Sequence, residues 1–203
     1  MAQILYGIPV SEKIKSELKI KIENLAKVNI IPKLVVILIG NDPASKIYVR
    51  NKHRTFLKMN CASEIFTFQK DVEESEVIEL IHKLNNDVSV HGILVQLPAP
   101  KHINESNIIN SINPDKDVDG LHPINSGNLL QGKPNFIPCT PFGCIKILEY
   151  YEIDTNSKNI VIVGRSNLVG KPLFALLSQK FKVGNATVTL CHTGTKNISD
   201  FTK

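Results

Sequence analysis

The sequence predicts an α/β protein of two domains, each built on a parallel β-sheet. Short β-branched runs such as residues 34–39 and 159–163 predict buried strands, and segments with helical periodicity follow them. Parallel strands need such crossover helices, because neighbouring strands run in the same direction. Residues 113–141 are rich in proline and lack periodicity, which indicates a linker or a functional loop. We therefore expect one domain over residues 1–119 and a second over residues 120–203, which begins with the linker.

Hydrophobic periodicity predicts the first helix and the first strand. Residues 11–28 carry apolar side chains at helical spacing, with lysines and glutamates between them. The continuous apolar run 34–39 is typical of a strand buried on both faces. Asp42 and Pro43 then supply an N-cap acceptor and a first-turn proline, so a helix should run from there to about Met59. The apolar positions of the first helix are Ile14, Leu18, Ile22 and Leu25.

Strands and helices continue to alternate in both domains. Residues 75–85 predict a helix whose inward face carries Val77, Ile81 and Leu84. The remaining predicted elements of the first domain are strands at 65–68 and 92–97, and Pro98 and Pro100 end the second of these strands. The predicted elements of the second domain are a strand at 159–163, a glycine-bounded turn at 164–170, a helix at 171–180 and a strand at 186–191.

Composition and charge narrow the class of protein. The 203 residues are 42% hydrophobic and 21% charged, as in an ordinary globular chain. No apolar run approaches the roughly 20 residues that cross a bilayer, and the first residues lack the pattern of a secretory signal. We therefore expect a soluble, cytoplasmic protein without membrane partners. The net charge is +5, but the basic residues are scattered and Trp is absent, which argues against nucleic-acid binding.

The cysteines are predicted to be reduced structural thiols. Four residues separate Cys139 from Cys144, whereas zinc knuckles have two, and no second pair follows. We therefore expect no bound metal. The cysteines are Cys61, Cys139, Cys144 and Cys191.

The turn at residues 164–170 is a candidate phosphate-binding loop. It lies between a buried strand and a helix, so backbone N–H groups and the helix dipole can face a pyrophosphate. Ser166 replaces the middle glycine of the usual dinucleotide pattern, so an ordinary tight turn is the alternative. If the loop binds a dinucleotide, NADP is favoured over NAD. Arg165 can pair with a 2′-phosphate, and no acid for a ribose 2′-hydroxyl follows Cys191.

Tyr48 and Lys52 form a second candidate site, because residues four apart share one face of a helix. The helix leaves the carboxyl end of a buried strand, where parallel sheets place their ligand sites. Gln96 interrupts the next buried strand near its carboxyl end, and a buried amide needs a partner. A cleft lysine oriented by an amide can act as a general acid or base. The alternative is a solvated lysine beside a half-buried tyrosine.

The acidic segment from Asp115 to Gly120 is the third candidate. It matches the first six positions of an EF-hand loop, but the twelfth position is Ser126 and nearby prolines exclude the flanking helices. Calcium binding is therefore not expected. Asp119 could instead accept two N–H bonds from an amidine-like edge of a polar heterocycle. A solvated acidic turn is the alternative.

Five motifs occur in order along almost the whole chain. They are residues 40–52 (GNDPASKIYVRNK), 92–98 (GILVQLP), 114–120 (PDKDVDG), 138–141 (PCTP) and 164–172 (GRSNLVGKP). Together they closely resemble the bifunctional methylenetetrahydrofolate dehydrogenase/methenyltetrahydrofolate cyclohydrolase family. The resemblance implies an N-terminal catalytic folate domain and a Rossmann-like NADP-binding domain, and it suggests a homodimer.

The resemblance also implies an activity in one-carbon metabolism and, through its product, purine biosynthesis. The enzyme would oxidise 5,10-methylenetetrahydrofolate with NADP and hydrolyse the methenyl product to 10-formyltetrahydrofolate. In that family Lys52 would be the catalytic lysine, Gln96 and Tyr48 would position it and the folate, and Asp119 would hold the pterin. The implied substrate-binding residues are Tyr48, Lys52, Val95, Gln96, Leu97 and Asp119, and the implied NADP-binding residues are Gly164, Arg165, Ser166, His192 and Thr193.

Family members continue past the position of Lys203 and complete the sheet of the cofactor domain. We therefore expect an incomplete cofactor domain, weak or absent NADP binding, and association through a strand edge after Cys191. Two alternatives stay open at this point. One is a truncated, non-catalytic remnant that keeps a folate cleft, and the other is a different two-domain NADP-dependent oxidoreductase, such as an amino-acid or shikimate dehydrogenase type.

Overall fold

The computed structural model describes residues 3–203 as helices alternating with parallel strands. The elements are α1 (Gly7–Lys27), β1 (Lys33–Ile39), α2 (Pro43–Lys58), β2 (Ala62–Phe68), α3 (Glu74–Asn86), β3 (Gly92–Gln96), α4 (Glu105–Ser111), α5 (Pro123–Leu130), α6 (Cys139–Tyr150), β4 (Asn159–Val163), α7 (Gly170–Ser178), β5 (Thr187–Cys191) and a 3₁₀ turn (Ile198–Asp200). The chain divides into two compact units. The first is Ile14–Val118, and the second joins the N-terminal residues through Lys13 to Asp119–Lys203.

β1 is the central strand of the first unit, in a parallel sheet of order β2-β1-β3. Its side chains alternate between the two faces of the sheet. Ile37 lies in a core cluster with Ile81 of α3 and Ile108 of α4. Its neighbour Val36 lies in a second cluster with Val49 of α2. The prediction of a strand buried on both faces is confirmed, because β-branched side chains fill both layers.

α1 forms where periodicity predicts a helix, but its predicted apolar face is only partly covered. Leu18 and Leu25 are 42% and 37% exposed, and Val10 is the one fully buried residue of the helix. Ile14 and Ile22 are half-buried. The spacing of apolar residues determines the type of element, whereas burial also requires a packed partner on that face.

The second unit carries a two-stranded parallel sheet, β4-β5, in which Val163 pairs with Cys191. The helices α5, α6 and α7 supply the rest of its core, in a cluster that includes Leu129, Ile145 and Leu176. Strand–helix–strand alternation with parallel pairing is therefore present in both units, as the sequence predicts.

The prediction that residues 113–141 form a linker or a functional loop is wrong for the helical part of the segment, whereas residues 113–122 and 131–138 are non-helical. This segment contains all of α5 and the start of α6. Pro123 opens α5, and the Nδ1 atom of His122 accepts the N–H of Ile124 at 3.1 Å. Pro141 lies in the first turn of α6. Proline breaks a helix interior but fits its first turn, where the N–H has no partner within the helix.

α2 begins where the sequence predicts and ends at Lys58. The carboxylate of Asp42 accepts the N–H of Ser45 at 2.7 Å, and Pro43 follows as the first helical residue. Hydrogen bonds from Ser45 hold the pKa of Asp42 below its ordinary value of 3.8, because they stabilise the charged form. This cap sets the start of the helix that carries Tyr48 and Lys52.

We expect Asp42→Ala to lower the urea midpoint of unfolding at pH 7, because the cap is lost. A depressed carboxyl pKa contributes stability above the unfolded value of 3.8, and this contribution disappears as the pH falls through the folded value. The difference between variant and parent should therefore shrink in strong acid. Circular dichroism in urea measures it, with Asp71→Ala as the control at an exposed aspartate. A difference that stays constant with pH would contradict the account.

Candidate functional site

Lys52 and Gln96 come together in the first unit. The Nζ atom of Lys52 donates to Oε1 of Gln96 at 3.3 Å. The Nε2 atom of Gln96 donates to the carbonyl of Leu97 at 2.9 Å, so both ends of the amide are engaged. Both side chains are half-buried. An amide fixed at both ends holds a flexible ammonium group in one place.

Sheet register and the start of α2 explain this contact. β1 and β3 pair in parallel with Leu38 opposite Gln96, so Gln96 lies at the carboxyl end of the sheet. α2 begins directly beyond that end, at Pro43, and the buried side chain of Val49 anchors it to the sheet. Lys52 then lies one turn beyond Val49, within reach of Gln96. Carboxyl ends of parallel strands are where α/β proteins place their sites.

Tyr48 lies one helical turn before Lys52 and is 63% exposed, more than the half-buried position considered from the sequence. An exposed phenol ring offers a flat face for a ligand ring. Val95 is different, because its side chain lies in the hydrophobic core. Any ligand contact from Val95 would use its main chain. Leu97 is half-buried and follows β3 directly.

Asp119 belongs to the second unit, and Tyr48, Lys52 and Gln96 to the first. Its Oδ1 atom lies 4.0 Å from the Sγ atom of Cys139, the first residue of α6. The turn at Gly120, directly after Asp119, is tightly packed. Gly120 has a φ of +65°, and a Cβ there would lie 3.1 Å from the carbonyl oxygen of Phe136.

Sequence reasoning treated Cys139 as a structural thiol. It is instead exposed and adjacent to a predicted substrate carboxylate. Its place in the motif at residues 138–141 is the sequence signal that could have drawn attention to it. The contact itself spans 20 residues and depends on how the turn packs.

The turn between β4 and α7 requires glycine at both ends. Gly164 has a φ of +136°, and a Cβ at Gly170 would collide with the carbonyl of Gly164. The hydroxyl of Ser166 accepts the N–H of Val169 at 3.1 Å, which caps the start of α7. The turn is therefore narrow, with backbone exposed on its outer side.

Arg165 and His192 meet beside this turn, with 3.3 Å between Nη1 and Nε2. The N–H of Gly194 donates to Nδ1 of His192 at 3.0 Å. With Nδ1 used as an acceptor, the neutral ring carries its proton on Nε2. Arg165 and His192 then both present N–H groups to the same space, an arrangement that suits an anion. Thr193 follows His192 and is exposed.

Within residues 3–203, no group of three or more His, Cys, Asp or Glu side chains has the arrangement of a metal site. Across the same residues, no helix is long and apolar enough to cross a bilayer.

Comparison with known proteins identifies relatives of both units. Residues 5–119 match the tetrahydrofolate dehydrogenase/cyclohydrolase catalytic domain, and residues 138–203 match the NAD(P)-binding domain of the same enzymes. The bifunctional protein FolD of Streptococcus agalactiae is 48% identical over 204 residues, which cover 100% of this chain and 70% of the relative. The chain thus spans about 70% of the length of such relatives.

Comparison with solved structures identifies the same family of enzymes. The bifunctional FolD methylenetetrahydrofolate dehydrogenase/cyclohydrolase of Campylobacter jejuni superposes with a TM-score of 0.93 at 44% identity, over 98% of this chain and 70% of that one. The FolD of Trypanosoma brucei, solved with NADP cofactor and an inhibitor, gives 0.91 at 29% identity, over 98% and 68% of the two chains. The resemblance carried by the sequence motifs is therefore confirmed, and the chain belongs to the tetrahydrofolate dehydrogenase/cyclohydrolase family.

Proposed function

We propose that this protein carries the two activities of its family, while the expectation that the 203 residues alone bind NADP weakly or not at all stays a prediction. The first is the NADP-dependent oxidation of 5,10-methylenetetrahydrofolate to the 5,10-methenyl form, and the second is hydrolysis of that product to 10-formyltetrahydrofolate. The contact between Lys52 Nζ and Gln96 Oε1, at 3.3 Å in the unit that matches the catalytic domain, carries the proposal. The names of the Streptococcus agalactiae and Campylobacter jejuni relatives support it. The reaction belongs to one-carbon metabolism, and its product would serve purine biosynthesis.

Hydrolysis requires two proton transfers that a fixed lysine can make. Water adds to the methenyl carbon, which is the centre of an amidinium cation, and the added water loses a proton. The bond from that carbon to one ring nitrogen then breaks as the formyl C=O bond forms. The hydroxyl proton leaves to solvent, and the nitrogen takes a proton. Lys52 is proposed to accept and return the proton, and Gln96 is proposed to hold its Nζ atom in place.

The folate contacts follow the chemistry of the side chains. Tyr48 is proposed to pack its exposed ring on the p-aminobenzoyl ring of the substrate. Asp119 is proposed to accept hydrogen bonds from the pterin edge. Leu97 supplies apolar contact, and Val95 supplies only main-chain contact because its side chain lies in the core.

Residues beside the turn between β4 and α7 are proposed to hold the cofactor. When bound, NADP accepts a hydride from the one-carbon bridge of the substrate. Ser166 would face its phosphates with its backbone N–H. The N–H of Gly164 donates to the carbonyl of Cys191 at 2.8 Å, so Gly164 would contribute the tight turn of the chain beside the phosphates. Arg165 and His192, whose N–H groups converge, would hold the 2′-phosphate, with the hydroxyl of Thr193 beside them. These two donors support NADP over NAD, because only NADP carries the 2′-phosphate that they would bind.

A homodimer in the cytoplasm is a further part of the proposal. It rests on the family resemblance. Sedimentation of the purified protein tests the dimer directly, and a monomer at every concentration would contradict it.

In a version with the full length of its relatives, Lys52→Met should abolish hydrolysis of methenyltetrahydrofolate while leaving measurable NADP-dependent oxidation. Methionine keeps the length of the stem and removes the group that transfers protons. The loss of methenyl absorbance measures hydrolysis, and the formation of NADPH measures oxidation. Lys46→Met, an exposed lysine on the same helix, is the matched control and should keep both activities. Hydrolysis by folded Lys52→Met near the parental rate would remove Lys52 from this role.

In a version with the full length of its relatives, Arg165→Ala should weaken binding of NADP much more than binding of NAD. The difference should be roughly 1.5–3 kcal/mol, because a charge-assisted hydrogen bond to the 2′-phosphate is lost. Isothermal titration with each nucleotide measures the difference. Lys196→Ala removes an exposed cation nearby and serves as the control. Equal losses for both nucleotides would mean that Arg165 has only a structural role.

Cys139→Ala should raise the KM for the folate substrate with little change in kcat, because the thiol steadies the carboxylate of Asp119. A thiol is a weak donor and the contact is 4.0 Å long, so the rise should be small, roughly twofold. Cys139→Ser keeps a donor and should restore the KM, while Asp119→Asn should raise it further. If Asp119→Asn raises the KM and Cys139→Ala does not, Cys139 does not position the carboxylate.

A further inference from the structure

A cavity of about 380 Å³ lies within the second unit, between α5 and the first half of α7. Leu121, Leu129 and Leu130 form one wall, and Pro172 and Ala175 of α7 form the other. This volume falls in the range of small-molecule sites, which are mostly apolar with a few placed polar groups. Nothing in the proposed function uses this cavity.

Core packing and hydrogen bonds hold the walls of the cavity in place. Leu129 and Ala175 are 2% and 4% exposed and belong to the same hydrophobic cluster. The Nε2 atom of Gln179 donates to the carbonyls of Leu129 and Leu130, at 2.5 and 3.2 Å, and so ties the end of α5 to the residue after α7. The small side chain of Ala175 leaves the space open. The cavity is therefore a groove that is open to solvent and backed by the core, with Leu130 on its exposed side.

Polar groups line the α7 side of the cavity and its rim. Asn167 and Lys171 contribute an amide and an ammonium group, and Ser126 of α5 contributes a hydroxyl. The Nζ atom of Lys171 donates to Oδ1 of Asn167 at 2.7 Å. None of the ion pairs among residues 3–203 involves Lys171. A cation without a carboxylate partner, beside an apolar cavity, complements a ligand with an apolar body and one negative charge.

We propose that this cavity binds an aromatic carboxylate of one or two rings. The rings would pack between the leucines of α5 and the face formed by Pro172 and Ala175. The carboxylate would accept hydrogen bonds from the ammonium of Lys171 and the amide NH₂ of Asn167. The groups assigned to the NADP phosphate, Arg165 and His192, do not line this cavity.

Titration with 2-naphthoate, followed by amide NMR shifts of the labelled protein, tests the site, and 2-naphthalenemethanol is the uncharged control ligand. Lys171→Gln removes the charge, and Lys158→Gln removes an exposed lysine outside the cavity. Ser126→Phe, at an exposed position of α5, fills the cavity with little cost to the fold. The amide spectrum also reports whether each variant is folded.

We expect naphthoate to shift amides of α5 and α7 and to bind about three- to tenfold more weakly to Lys171→Gln, with no change in Lys158→Gln. The neutral alcohol should bind the parent more weakly and should not respond to Lys171→Gln. Ser126→Phe should abolish binding. Shifts located elsewhere, equal binding of acid and alcohol, or displacement of naphthoate by NADP would each overturn the proposal. The last result would assign the cavity to the cofactor.

Discussion

The parallel pairing of β1 with β3 is the constraint on which the proposed chemistry depends. β1 is buried on both faces, so its register with β3 is strongly specified, and Gln96 lies opposite Leu38 at the carboxyl end of the sheet. α2 begins beyond that same end, which brings Lys52 to within 3.3 Å of the amide. A slip of one residue would turn Gln96 to the opposite face and leave Lys52 without its partner.

The second unit repeats this arrangement with different groups. Val163 pairs with Cys191 at the carboxyl ends of β4 and β5, so the residues that follow each strand are neighbours. Arg165 and His192 follow those strands, and their N–H groups converge. In both units, two adjacent strand ends supply two complementary side chains. The lysine and amide of the first unit suit proton transfer. The guanidinium and imidazole of the second unit suit the binding of an anion.

Sequence alone predicts the elements whose signals are local. The cap at Asp42 and the inward face of α3 depend on neighbours within a few residues, and both are present. Two features depend on packing at a distance and could not be predicted. The apolar face of α1 lacks full cover, and Cys139 meets Asp119 across a segment that contains all of α5. The first-turn prolines at residues 123 and 141 are a local signal of the kind that predicts the start of α2, but the other prolines of the segment obscure it. The residue roles drawn from the family resemblance stay predictions.

Gln96 is proposed to act on hydrolysis through Lys52, and a double-mutant cycle shows whether the two residues act together. Hydrolysis of methenyltetrahydrofolate is measured for the parent, Lys52→Met, Gln96→Leu and the double variant, each shown to be folded by circular dichroism. The enzyme concentration is raised until any residual rate of Lys52→Met is resolved above the uncatalysed rate. Interacting residues give non-additive losses, whereas independent residues give losses that multiply. The account predicts that the double variant is no slower than Lys52→Met alone. A double variant slower by the product of the two single losses would contradict it.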